Sequence, residues 1–247
     1  MKTNTVFIVT LALLLALSAC GPAANTPASS GEVSVTVDVS GLAQNVTSTN
    51  VAAVLPGTDV PAVGVSPAHT ELSLEGYPIG KSKNSPQIFV YAVKDLSIAA
   101  GPEKAAKDLQ SLLQTQQTAE KMPYLPFDSE VQMLHAQVKF LDFKNGKGVR
   151  YLTEWSSGLI PVNNRGLLYT YQGLTSDGKY YVAVVLPVNL PSLPADEQSP
   201  SSVPITAGSD YVKYLADTAT MFDQQPVSAF TPDLSKLDAL VQSIEVK

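Results

Sequence analysis

The chain has 247 residues, 16 Lys and Arg against 22 Asp and Glu, a net charge of −6, two histidines and one cysteine. Its cations are scattered and outnumbered, so they make no footprint for a phosphate backbone and no nucleic-acid partner is expected. One cysteine excludes an internal disulfide, and His69 and His135 have no neighbours at zinc-ligand spacing.

Lys2 and the apolar run Val6 to Leu17, interrupted only by Thr10, read as a secretory leader. The run is shorter than the roughly 20 residues needed to span a bilayer. Leu17-Ser18-Ala19-Cys20 closes it and resembles the lipobox of bacterial lipoproteins. That resemblance implies cleavage before Cys20 and acylation of Cys20. Each buried CH₂ adds about 0.8 kcal/mol, so several acyl chains anchor stably to membrane lipid. It also implies an extracytoplasmic place, on the outer face of the cell membrane or at the outer membrane. The Asp that often signals inner-membrane retention is replaced by Gly21. Pro22 to Gly31 is small and polar and reads as a flexible tether. The expected organisation is a signal peptide over 1–19, a tether over 20–31 and one globular domain over 32–247.

Glu32 to Ser40 alternates Val33, Val35, Val37 and Val39 with polar residues, the period of a half-buried strand. Residues 41–68 carry Pro56-Gly57 and two further prolines and are expected to be irregular, with a short edge strand. Glu71–Glu75 and Gln87–Val93 are strands. Pro102 opens a helix at its first position, where no N–H is needed. Ala105, Leu109, Leu112 and Leu113 form its apolar face, Glu103 and Lys107 pair outside, and it ends near Gln117.

Leu134–Phe143 alternates, with Ala136, Val138 and Phe140 on one face. Asn145-Gly146 turns a hairpin. Val149, Tyr151, Thr153 and Trp155 line one face of the returning strand. Asn163–Gly166 turns again, Leu167–Leu174 is a third strand, and Asp177-Gly178 is a second hairpin turn. Tyr180–Leu186 is apolar at every position, so it is expected to be covered on both faces. Asn189–Pro204 is a long excursion rich in Pro and Ser.

Ser209 is expected to cap a helix with the stripe Val212, Leu215, Ala216, Ala219 and Phe222. Thr231 caps the last helix and Pro232 takes its first position. Leu234, Leu237, Leu240, Val241 and Ile244 follow at helical spacing. Glu245–Lys247 is read as a last short strand or a frayed end. The fold class is α+β: an antiparallel β-sheet meander flanked by helices, an α/β sandwich.

Leu134 to Pro194, together with Tyr77-Pro78 and Pro86-Gln87-Ile88-Phe89-Val90-Tyr91, resembles an uncharacterised group of bacterial lipoproteins. The order of elements, ending in a helix and Ser243-Ile244-Glu245-Val246, is similar to the Mog1/PsbP-type α/β/α sandwich. That second resemblance implies a module that binds protein partners. The prolines around 187–204 and the extra N-terminal strand depart from it.

No stretch carries a recognisable catalytic motif. Ser176-Asp177-Gly178-Lys179 matches S-x-x-K by letter, but Asp-Gly makes it a hairpin turn and not a helix start. Gly146-Lys147-Gly148 is a lone G-x-G with no following helix. Glu154 beside Trp155 is the one pairing of an acid with a sugar-stacking aromatic. With Asp142 across the hairpin as its partner, it would make a glycan-directed envelope hydrolase. Tyr169, Tyr171, Tyr180 and Tyr181 cluster on adjacent strands, either as cross-strand pairs or as an interaction surface. Met122–Phe127 either packs on its own core or docks a partner. The leading expectation is a non-catalytic lipoprotein without cofactors. It binds an envelope protein or small ligand through the 122–127 and 189–204 loops, with Tyr124, Phe127, Tyr169, Tyr171 and Tyr180 as binding residues.

Overall fold

The computed structural model describes residues 33–57, 60, 64–126, 129–200 and 208–247. The leader, Cys20, the tether and Phe127 lie outside the described residues, as do residues 201–204 of the long excursion. Val33–Lys247 forms one compact unit.

The first strand, β1 (Val35–Thr36), stands apart from two antiparallel meanders. The first meander is β2 (Asn45–Val51), β3 (His69–Glu75) and β4 (Gln87–Ala92). A 3-10 turn (Val93–Ile98) and helix α1 (Ala100–Thr115) lead to the second: β5 (Val131–Phe143), β6 (Gly146–Ser156), β7 (Leu168–Thr175) and β8 (Tyr180–Pro187). Strand β8 pairs with β4, so the sheet has seven antiparallel strands in the order β2-β3-β4-β8-β7-β6-β5. Helices α2 (Ser209–Asp223) and α3 (Leu234–Ser243) follow, and β9 (Glu245–Val246) pairs with β1. Strands dominate, and helices flank the sheet.

The all-apolar sequence of β8 explains its central place. Tyr181, Ala183 and Val185 face one core with Leu109, Leu112 and Leu113 of α1, and Val182, Val184 and Leu186 face the other with Leu234, Leu237 and Val241 of α3. The valines at 33, 35, 37 and 39 alternate in burial and pack against the α3 core, although only Val35 and Thr36 pair as strand. Residues 45–51 form a full edge strand in an otherwise irregular stretch.

Four local expectations are corrected. Ala136 faces the α3 core while Val138 and Phe140 face the α1 core, because the pairing of β5 with β6 slips between Ala136 and Lys139. Gln137 sits there at φ 54°, and the extra residue reverses which side chains point where. Of the expected α2 stripe, Phe222 is buried and Leu215 and Ala219 pack against the α3 core, but Ala216 is exposed and Val212 is 68% exposed, and Tyr211 and Thr218 complete the buried face. The polar ends of Tyr211 and Tyr214 reach the carbonyl of Ile160 and the N–H of Val162, and this rotates the helix onto its tyrosine edge. Gly208, not Ser209, is the N-cap of α2. Asp233, not Thr231, caps α3, accepting from the Ser235 N–H at 2.8 Å.

Candidate functional site

The tyrosines expected at a surface are largely interior. Tyr169 and Tyr171 are both 0% exposed. Tyr169 donates to Asp238 at 3.0 Å and Tyr171 to the Leu141 carbonyl at 2.9 Å. Tyr180 is half-buried against the same core. Burial holds the Tyr169 and Tyr171 hydroxyls well above the usual phenol range. These rings are correctly placed for cross-strand packing and wrongly placed for a partner.

The 122–125 segment also turns inward. Met122, Tyr124 and Leu125 are buried. The Gln172 amide clamps Leu125 from both sides, accepting its N–H at 2.9 Å and donating to its carbonyl at 3.1 Å. Tyr151 donates to the Pro123 carbonyl at 2.7 Å. Two buried side chains of the sheet thus satisfy loop backbone that has left water. Tyr124 keeps one contact of interest, a tilted pairing with Trp155 at 4.7 Å.

The Glu154 and Trp155 side chains point to opposite faces of β6, as neighbours on a strand do, although both residues border one cavity. Trp155 joins Tyr124 on the α1 side, where the two rings line a cleft of about 450 Å³ between α1 and the start of β5. The indole N–H of Trp155 is buried without a hydrogen-bond partner. Asp142 is no partner for Glu154 either. It pairs with Lys147, seven residues back along β6 from Glu154, a separation of about 23 Å. A glycosidase pair stands roughly 5 to 9.5 Å apart.

Glu154 points the other way and is 1% exposed. Its carboxylate accepts the backbone N–H of Asn163 at 2.9 Å and the Asn163 side-chain amide at 2.7 Å. Gly166 presses on it so closely that a Cβ there would collide with the carboxylate. Burial pushes the Glu154 carboxyl up to about 8, opposed by the Asn163 N–H and the distant charge of Lys83.

Above it lies a cavity of about 380 Å³ lined by Lys83, Glu130, Glu154, Asn163, Arg165 and Glu197. Its exposed charges are matched. Lys83 pairs with Glu130 and also donates to the Trp155 carbonyl, and Arg165 pairs with Glu197 at 2.6 Å. Comparison with protein-family models, curated proteins and solved structures returned no match.

Asn163 was legible only as a turn residue, since nothing in the sequence ties it to Glu154. The turn it opens is a junction. Asn164 donates from its N–H to the Pro194 carbonyl at 2.9 Å, and its side chain exchanges bonds with Leu190 at 2.7 and 3.1 Å. The Arg165 carbonyl accepts from the Lys83 N–H at 2.8 Å. Three stretches of chain, 82–83, 163–166 and 189–197, thus close over one buried carboxyl.

The remaining motifs have structural roles. Gly146 and Gly148 sit where a Cβ would strike the Phe143 and Tyr171 rings, so they serve packing and not phosphate binding. Asp177 accepts from the Thr175 hydroxyl at 2.7 Å and the Lys179 N–H at 3.1 Å, which fixes the hairpin turn that S-x-x-K matched by letter. His135 is half-buried, and burial lowers its basicity against the pull of Asp223. Among the described residues no cluster of His, Cys, Asp or Glu could hold a metal ion, and no helix is long and apolar enough to cross a membrane.

Proposed function

We propose that this chain is an extracytoplasmic lipoprotein of the cell envelope, anchored to membrane lipid through an acylated Cys20, and that it is a non-catalytic binding module. The LSAC leader and the single cysteine support the anchor. The finer fold reading belongs with it: an α+β sandwich of the kind that presents loops at the strand ends.

One observation carries the binding reading. The cavity at the Ser156 end of β6 is walled by groups that are already paired with one another: Lys83 with Glu130, Arg165 with Glu197, and Glu154 with Asn163. Such a wall offers fixed donors and acceptors for recognition. Among the described residues it offers no nucleophile held by a base, and the other two carboxyls in it, Glu130 and Glu197, are each taken up by a cation. Of the positions expected to bind, Tyr169 and Tyr171 are interior, while Tyr124 lines the neighbouring cleft with Trp155.

The test is photo-crosslinking in the bacterial host. A photoreactive residue at Leu159, 51% exposed beside the cavity, gives a discrete adduct, and one at Thr47 on the far edge strand gives none. Identical or absent adducts at both positions would refute the site. Hydrolysis of an envelope glycan that disappears in Glu154→Gln would refute the non-catalytic reading. Cys20→Ala should leave the membrane fraction, and retention there would refute the anchor.

A further inference from the structure

The junction around Asn163 suggests more than a static wall. Glu154 lies within β6, which pairs with β5 through Ser156 and with β7 up to Thr153, so at Glu154 the ladder is held from the β5 side. The turn it holds belongs to irregular chain. The 163–166 turn is tied to Glu154 by two hydrogen bonds and to the 189–197 stretch by Asn164 and Arg165. If the bonds to Glu154 let go, the turn and the 189–197 stretch lose a common anchor, while the strand beneath keeps its pairing with β5.

We infer that Glu154 is a proton-operated latch: protonated, it stays buried and holds the 163–166 turn and the 189–197 stretch closed over the cavity; ionised, it gains by reaching water and lets them open. This extends the binding reading without depending on any ligand.

The charged and titratable groups around it set the direction. From the 82–83 stretch, Lys83 favours the ionised form, but its ammonium group is held by Glu130 and the Trp155 carbonyl. From the 189–197 stretch, Glu197 opposes ionisation and is itself paired with Arg165 of the turn. From α2, Tyr211 feels the Glu154 charge at a distance. No cation makes an ion pair with the carboxylate among the described residues, and burial is the dominant influence.

The window follows from the two states. Closed, the carboxyl titrates near 8; open to water, it returns to its ordinary 4.5. Between those values the open form releases its proton first. Opening therefore becomes about tenfold more favourable per pH unit and levels off above about pH 8.

Amide hydrogen exchange on the folded chain, analysed as protection factors from pH 5 to 9, tests this. The amides of 163–167 and 190–197 should lose protection together, by about tenfold per unit up to about pH 8. Those of β7 and β8 should hold. Glu154→Gln, which cannot ionise, should show flat protection in both stretches. Flat protection in the wild type would overturn the latch, and that result stands even if the variant fails to fold. Loss in one stretch without the other would overturn the coupling, and so would a pH slope shared by the variant. None of these results depends on whether the cavity binds anything, so the binding reading stands or falls separately.

Discussion

Asp238 of α3 and Glu154 of β6 are both carboxylates removed from water, 6% and 1% exposed, and their surroundings differ in one respect. Asp238 is met by Arg150 at 3.1 Å, by Lys139 at 2.8 Å and by the Tyr169 hydroxyl at 3.0 Å. Glu154 is met by the two N–H donors of a single asparagine. The first cluster also reaches the β5 bulge, because Arg150 donates to the Gln137 carbonyl while Gln137 binds the end of α2 at Phe222 and Gln225. It fastens two helices to the sheet. The second fastens a turn and leaves a carboxyl whose charge is costly. A buried acid with its counter-charge is a fixed joint; a buried acid with only amide partners responds to protons.

The comparison breaks most visibly if the joint loses its acid. Asp238→Ala leaves the Arg150 guanidinium, itself 3% exposed, without its carboxylate partner. It should cost about 3–5 kcal/mol of folding stability in urea denaturation. A loss below about 1 kcal/mol would mean that the cluster is not holding α3.

Glu154→Gln acts in the opposite direction. The folded carboxyl titrates near 8, above its ordinary 4.5. The unfolded chain therefore releases the proton first, and wild-type stability falls as pH rises through that window. The variant should be about 3 kcal/mol more stable than wild type at pH 7 and about equal at pH 4. Thermal or urea melts at the two pH values decide it, and a variant destabilised at both would contradict the account.

Lys139 gives the smallest effect. Its side chain is 51% exposed, and Arg150 remains beside Asp238 when it is removed. Lys139→Met should cost no more than about 1 kcal/mol, less at high salt. A larger loss would move the weight of the joint from Arg150 to Lys139.

Glu154 stood out in the sequence beside Trp155, whereas Asp238 and Arg150 did not, although their spacing places them. Asp238 follows Leu234 and Leu237 and precedes Val241 on the buried stripe of α3, so its spacing alone places an acid against the core. Arg150 and Glu154 alternate with the apolar face of an interior strand, which puts two charges on a covered side. The strands themselves were readable from period-two patterns and from the Asn-Gly and Asp-Gly turns, and β8 from its unbroken apolar run. The same period separates Glu154 from Trp155.

The bulge at Gln137 was not readable. It depends on bonds to α2, 85 and more residues away in sequence, and it alone decided which face Val138 and Phe140 take. The Gln172 clamp on Leu125 and the Asn163 bond to Glu154 are likewise fixed by tertiary neighbours, so residues with polar turn or strand signatures concealed what they hold.

The most direct measurement is the ionisation of Glu154 itself, followed by NMR of ¹³C-labelled glutamate side-chain carboxyls in the folded chain across pH 3 to 10. The account predicts one carboxyl, absent from the spectrum of Glu154→Gln, with a midpoint near 8. A Glu154 midpoint at or below 4.5 would show that this acid is charged where it lies, and the contrast with Asp238 would collapse.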